Sequence, residues 1–342
     1  MNAKSLFFCA AAFLLAALPA GAAPQNDTPR VRIAMLTDGG AWDDSSFNLS
    51  GREGLEALLN RFPIYANFVE SDGPEDYARN LAELAERGYR LVIGIGILLA
   101  PDVEKMALAY PNTLFASVDG GSRTPPKNAR SLLFRVEECA FPAGYLAAAW
   151  ADLQDPADPA VAWIGGMRVE SVTSFTDAFA EGVKHYNRKH RRRVRVLGDF
   201  IDSFTDTGKA AELAARFLSE GADVVFAPAG QAGVGAITAA KKAKKWAIGV
   251  DGDQYETLYE ARDILLTSCV KRIDRAVMQL CVAVCENQFW GGGCYEGRLA
   301  NNGVGLAPYH DYEFKLPDAL KREIQDIQRD IAAGTLSPFG KN

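Results

Sequence analysis

The chain of 342 residues is 48% hydrophobic and 23% charged, with a formal net charge of -6. That balance is typical of an ordered α/β protein and argues against bulk binding to nucleic acid or to an anionic membrane. Once a leader is set aside, roughly 320 residues exceed what one hydrophobic core organises, so two domains are expected.

Residues 1–22 read as a secretory signal, with Lys4 near the start, an uncharged apolar run over 6–18 and small residues up to a cleavage position after Ala22. The run is too short to span a bilayer. Cys9 lies inside it and not at the cleavage position, so no lipid-modified terminus is expected. A soluble, periplasmic protein follows.

The apolar run 31–36 predicts a buried strand and 49–59 a helix. The loop between them reads Thr37-Asp38-Gly39-Gly40-Ala41-Trp42-Asp43-Asp44-Ser45-Ser46-Phe47-Asn48. Gly39 and Gly40 let the backbone turn sharply or approach a ligand. Asp38, Asp43 and Asn48 supply polar groups, while Trp42 and Phe47 supply flat apolar faces. The mixture suits a planar, polar small molecule. The competing reading is a capped helix start, with Asp44 or Ser45 as N-cap and the aromatics in the core.

Strands over 64–69, 91–95 and 114–118 alternate with helices over 77–87 and 102–109, a pattern of parallel sheets. The run 132–136 then leaves that sheet. A helix over 140–153 ends at the breaker Asp155-Pro156-Ala157-Asp158-Pro159, after which the alternation restarts with strands at 161–164, 194–200, 224–227 and 247–250. Helices fall between them at 174–186, 207–220 and 234–243. A strand over 264–270, a helix over 273–286 and a terminal helix over 317–333 complete the chain. The fold class is α/β, with two doubly wound parallel-sheet lobes and a ligand cleft between them. Asp38, Asp119, Gly165, Gly166, Gly230, Asp251, Asp253 and Lys271 all stand at predicted carboxyl ends of strands, which points to one site.

Outside the leader the cysteines are Cys139, Cys269, Cys281, Cys285 and Cys294, so at least one thiol is free or bonded to another molecule. Cys281 and Cys285 are neighbours on a helix. A Cys285–Cys294 bond across the glycine-rich bend is sterically easier to form, and zinc is a weaker reading. The basic runs 189–193 and 241–245 read as solvated loops. His185, His190 and His310 avoid the strand ends, which argues against triad catalysis. No cofactor, no metal and no enzymatic activity are expected.

The residues also resemble a family. Thr37-Asp38-Gly39-Gly40 with Asp43-Asp44 and Ser46-Phe47-Asn48 is similar to the first signature of the basic membrane protein family, and the likeness continues in order almost to the end of the chain. It runs through Val118-Asp119, Ala143-Gly144-Tyr145-Leu146-Ala147, Ile164-Gly165-Gly166-Met167 with Phe175, and Gly221-Ala222-Asp223-Val224-Val225-Phe226. It then takes in Ala247-Ile248-Gly249-Val250-Asp251-Gly252-Asp253-Gln254, Thr267-Ser268 with Val270-Lys271-Arg272, and Gly303-Val304-Gly305-Leu306. These families of nucleoside-binding, ABC-transporter substrate-binding proteins have a type I periplasmic-binding fold.

The expected N-terminal lobe is 31–136 plus 256–295 and the C-terminal lobe 137–255 plus 296–342, hinged near Val136, Tyr255 and Glu296. The resemblance implies that Phe47 and Phe175 sandwich a purine base whose edge meets Asp38 and Asn48. Asp119, Asp251 and Lys271 then hold ribose hydroxyls, helped by backbone near Gly230. Trp42, where smaller or β-branched residues are more usual, stands beside the base. The implied partners are a nucleoside and an inner-membrane permease, the chain itself being a monomer. Two alternatives stay open: a ligand-sensing partner of a membrane receptor, and a metal-dependent nucleoside hydrolase. The cleavage position lacks the cysteine of lipoprotein members, and Cys139 stands where glycine is common.

Overall fold

Short runs of Val, Ile, Leu and Ala, buried on both faces, alternate with amphipathic helices and build two sheets. The computed structural model describes residues 30–340. The expected signal segment 1–22 lies outside those residues. The first pass of the chain gives β1 (Val31–Thr37), α1 (Phe47–Glu56), β2 (Ile64–Val69), α2 (Pro74–Glu86), β3 (Leu91–Ile95), α3 (Ala100–Ala109), β4 (Leu114–Val118) and β5 (Ala129–Phe134). The second begins with α4 (Glu137–Gln154), β6 (Ala160–Gly165), α5 (Glu170–His190), β7 (Arg195–Phe200) and α6 (Thr207–Ser219). It continues through β8 (Val224–Phe226), α7 (Gly233–Lys242), β9 (Trp246–Asp251), α8 (Gln254–Thr257) and β10 (Leu265–Lys271). The chain then returns to the first lobe for α9 (Ile273–Cys285) and β11 (Gly293–Gly297), and to the second for β12 (Val304–Leu306) and α10 (Asp318–Ala332).

The six-stranded sheets share one plan. The first runs β11-β5-β4-β3-β1-β2 and the second β12-β10-β9-β8-β6-β7, each with a switch in strand direction of travel beside its first strand. All pairs are parallel except β10 with β12. Separate buried clusters cover the two faces of each sheet: Ile33, Leu55, Ile93 and Val277 on one side of the first, Leu36, Leu81, Val92 and Phe115 on the other.

Four expectations are corrected here. Run 132–136 does not leave the first sheet directly, because β5 pairs with β4 up to Leu132 and with β11 up to Phe134. Residues 256–271, expected in the first lobe, carry α8 and β10 and pair with β9 in the second sheet, so the middle crossing falls at Arg272 and not at Tyr255. A hydrophobic strand fits either sheet equally well, and only pairing decides. Cys285 and Cys294 are both free, as are Cys139, Cys269 and Cys281. Cys285 lines a groove with Val31 and Arg90, whereas Cys294 lies on the edge strand β11, in register with Ser131 of β5. The run 241–245 is not wholly solvated either, since Lys245 Nζ donates to the buried Asp223 at 2.6 Å.

The second lobe is held by α4, an alanine-rich helix buried from Glu137 to Ala151. It lies against α5 so closely that a Cβ on Gly144 would stand 2.0 Å from the Phe179 carbonyl oxygen, and one on Gly182 the same 2.0 Å from that of Phe141. Here glycine serves backbone approach between two helices. Gly144→Ala is expected to destabilise the chain by about 1–3 kcal/mol through overpacking. Urea denaturation would measure it, and an unchanged midpoint would contradict this packing.

Candidate functional site

The carboxyl ends of the parallel strands in both lobes face one cavity of about 580 Å³, counted out to its mouth. Asp38, Phe47, Asn48, Asp119, Phe175, Gly230, Asp251 and Lys271 all line it. Trp42 does not. Its ring is 6% exposed, packs in the core of the first lobe and meets Phe68 edge-on at 5.2 Å, while the Trp42 backbone N–H donates to Glu70 Oε1 at 3.1 Å. A large indole gains more from that burial than from the cavity wall.

Lys271 ends β10 and is 1% exposed. Its Nζ donates to Asp119 Oδ2 of the first lobe at 2.6 Å and lies 3.3 Å from Asp251 Oδ1 of the second. Burial alone would lower the lysine's pKa, but the two carboxylates outweigh it and raise the value, so the ammonium stays charged. The second contact is an ion pair without hydrogen-bond geometry, and Asp251 Oδ1 is buried with no hydrogen-bond partner. Burial raises Asp251 to about 6 against the pull of Lys271. Asp119 and Asp251 both sit in the left-handed region, at φ 67° and 66°. That conformation, which aspartate tolerates better than most residues, turns each carboxylate inward at its strand end. Asp253, also expected here, instead caps α8 through Tyr255 N–H and bonds His310 Nε2 at 2.8 Å.

The loop after β1 is built around Asp44. Its Oδ1 accepts from Ser46 and Leu49 N–H and its Oδ2 from Asn48 N–H, at 2.9, 3.1 and 3.0 Å. The carboxylate thus closes the N-terminus of α1 as a cap would, from two residues before Ser46. The capped-helix reading holds for Asp44 and for the buried Trp42, and the same loop places Asp38, Phe47 and Asn48 on the cavity wall. Asn48 is 4% exposed, and its Nδ2 donates to the carbonyls of Gly39 and Ala41, both at 3.1 Å.

Asp38 accepts from Leu98 N–H at 3.1 Å, and its own carbonyl accepts from the Tyr77 hydroxyl. Burial, reinforced by the charge of Asp119, pushes its carboxyl up to about 7. Gly96 makes room for it: φ is +118°, and a Cβ there would lie 2.0 Å from the carboxyl carbon.

The aromatic walls are unequal. Lys271 Nζ lies 5.0 Å from the ring centre of Phe47 and 5.3 Å from that of Phe175. Phe175 is only 2% exposed and edges against Phe226, whereas Phe47 is half-buried. A second half-buried ring, Phe204, lines the cavity from the loop after β7. Its ring lies over Gly166, where a Cβ would stand 2.6 Å from it. Phe204, Gln231, Gly96 and Ser171 were not singled out from the sequence. Only Gly96, directly after a predicted strand, carried a signal that could have found it.

The family described as ABC transporter substrate-binding protein PnrA-like (Bmp) matches residues 31–341. The "CD4+ T-cell-stimulating antigen" of Listeria monocytogenes is 31% identical over 322 residues, covering 89% of this chain and 87% of that one. The "ABC transporter nucleoside-binding protein BmpA" of Lactococcus lactis is 30% identical over 316 residues, covering 87% of each chain. Among solved structures, an ABC transporter system solute-binding protein from Aeropyrum pernix superposes with a TM-score of 0.85 at 23% identity, covering 90% of this chain and 92% of that one.

Asp38 titrates near 7 in the folded chain against an ordinary value of 3.8. An acid whose pKa is raised by folding loses stability as pH rises from the lower value to the higher, because the unfolded chain ionises first. Asp38→Asn has no such penalty. Without ligand it is expected to exceed the parent in stability by a margin that widens from pH about 4 to 7 and is constant above. Thermal unfolding at pH 5 and pH 8 measures it, and an equal margin at both would contradict the burial of this carboxyl.

Proposed function

The chain belongs to the family of PnrA-like ABC transporter substrate-binding proteins, which work outside the cytoplasm, and from that premise we propose that it captures a purine nucleoside between its lobes. The observation that carries this reading is the Lys271 ammonium joining Asp119 of one lobe to Asp251 of the other at the floor of a cavity with aromatic walls. Carboxylates accept pairs of hydroxyl protons, so Asp119, Asp251 and Lys271 hold the ribose, with backbone at Gly230 beside them. The base lies between Phe47 and Phe204, the two half-buried rings that line the cavity, while Phe175 supports the floor. Asp38 and Asn48 meet its edge. The name of the Lactococcus relative, a nucleoside-binding protein, supports the same ligand class.

The chain is a receptor and not an enzyme: closure of the lobes about the crossings at 135–136, 272 and 298–303 hides the ligand and forms the surface that an inner-membrane permease reads. The leader at 1–22 sends it to the periplasm as a soluble monomer.

Isothermal titration of ligand-stripped protein with adenosine, guanosine, inosine, uridine and ribose tests the reading. Phe47→Ala and Phe204→Ala should each weaken nucleosides by about tenfold or more while leaving any ribose binding unchanged. Asp251→Ala should cost about 1.5–3 kcal/mol, or one to two decades in affinity. Ribose binding as tightly as any nucleoside would overturn the role of the rings.

A further inference from the structure

Resting on the nucleoside reading above, we propose that the base subsite selects an edge carrying two adjacent hydrogen-bond donors, so that guanosine binds ahead of inosine and inosine ahead of adenosine.

The argument begins with the orientation of one amide. Asn48 has two near neighbours on one side of its side chain, the carbonyl oxygens of Gly39 and Ala41, each 3.1 Å away. Both are acceptors, so the NH2 group must face them, and the assignment of nitrogen and oxygen is fixed by chemistry. Both amide protons are then used inside the loop. Oδ1 points the other way and is buried with no partner. A buried acceptor left unpaired is unfavourable until something donates to it. Since Asn48 lines the cavity, the donor it lacks is a ligand group.

Asp38, on the same loop and lining the same cavity, also keeps an acceptor free. Its Oδ2 accepts from Leu98 N–H at 3.1 Å, and its Oδ1 has no hydrogen-bond partner among the described residues. Asp44, the other carboxylate of the loop, is fully engaged by three backbone N–H groups and contributes nothing free to a ligand. Gln231 also lines the cavity, but its side chain makes no hydrogen bond among the described residues and can turn either end inward. The fixed free groups of the subsite are therefore two acceptors, since the Lys271 ammonium is engaged by Asp119 and Asp251 and the Ser171 hydroxyl can rotate.

Purine edges divide cleanly against such a pair. Guanine presents N1–H and the 2-amino group side by side, two donors for two acceptors. Hypoxanthine presents N1–H alone. Adenine presents its 6-amino group beside the N1 lone pair, so one acceptor of the wall faces another acceptor. A site whose buried polar groups match a ligand's protons discriminates strongly against the analogue that lacks them, because the mismatch leaves groups unpaired on both sides.

Titration of the ligand-stripped, full-length mature chain at about pH 8.5, above the ionisation of Asp38, reads the order. Guanosine should bind at least about tenfold tighter than inosine and inosine tighter than adenosine, and 1-methylguanosine, which loses N1–H, should fall well below guanosine. Asp38→Asn can turn an amide N–H toward the base, so the guanosine-to-adenosine ratio should drop at least about tenfold, a change of preference that a merely structural loss would not produce. Adenosine equal to or tighter than guanosine, with both well ahead of ribose, would overturn this inference and leave the nucleoside reading standing. Failure of every purine nucleoside to bind would overturn both.

Discussion

A single buried ammonium holds the site together. Lys271 is the one cation among the described residues lining the cavity, and it meets carboxylates from two different sheets. Without it, Asp119 and Asp251 would be two anions turned into a nearly dry space, which is several kcal/mol more costly than a compensated pair. With it, the carboxylates remain good acceptors for hydroxyl groups, and the charge balance ties the approach of one lobe to the other. The strained φ angles at Asp119 and Asp251 fit this account. Left-handed aspartates persist where the surroundings overdetermine them, and the lysine is the determinant both share.

The remaining polar groups are satisfied in ways that leave a defined remainder. Asp44 is used up in closing the helix, Asn48 spends its protons on the loop, and Asp38 gives one oxygen to Leu98 N–H. What remains toward the cavity is acceptor character on the base side and a salt-bridged cluster on the sugar side. Ionising Asp38 is disfavoured by burial and by Asp119, so a ligand proton shared with it recovers free energy that the empty site cannot.

The alternation of apolar runs with helices, and the polar residues that end those runs, were legible because strands buried on both faces leave a periodic trace and parallel sheets put ligands at one edge. The doubled lobe plan followed from the restart after Pro159. The destination of β10 was not legible, since pairing partners are a tertiary choice that a Leu-Leu-Thr-Ser-Cys-Val run does not encode locally. Trp42 misled because an indole in a ligand loop and an indole anchoring that loop look alike in sequence. Phe204 was missed for the opposite reason: it sits in a polar loop, away from any strand end, and becomes a wall only when that loop folds back over Gly166. Asp251 and Asp253 are two residues apart and chemically equal. The left-handed turn at the first and the helix start at the second separate them.

The three crossings also govern the order in which the chain can become a structure. The first sheet needs β11 at its edge, and the face of that sheet near β1 needs α9, which packs on α1; both elements come after the whole of β6 to β10 has emerged. The second lobe in turn waits for β12 and for α10 against α4. Neither lobe is therefore a contiguous segment that can close early, and the first remains without an edge strand until residue 297 of 342 is available. A chain with so many late, distant pairings folds slowly for its size, and neither sheet is complete until the last fifth of the chain arrives.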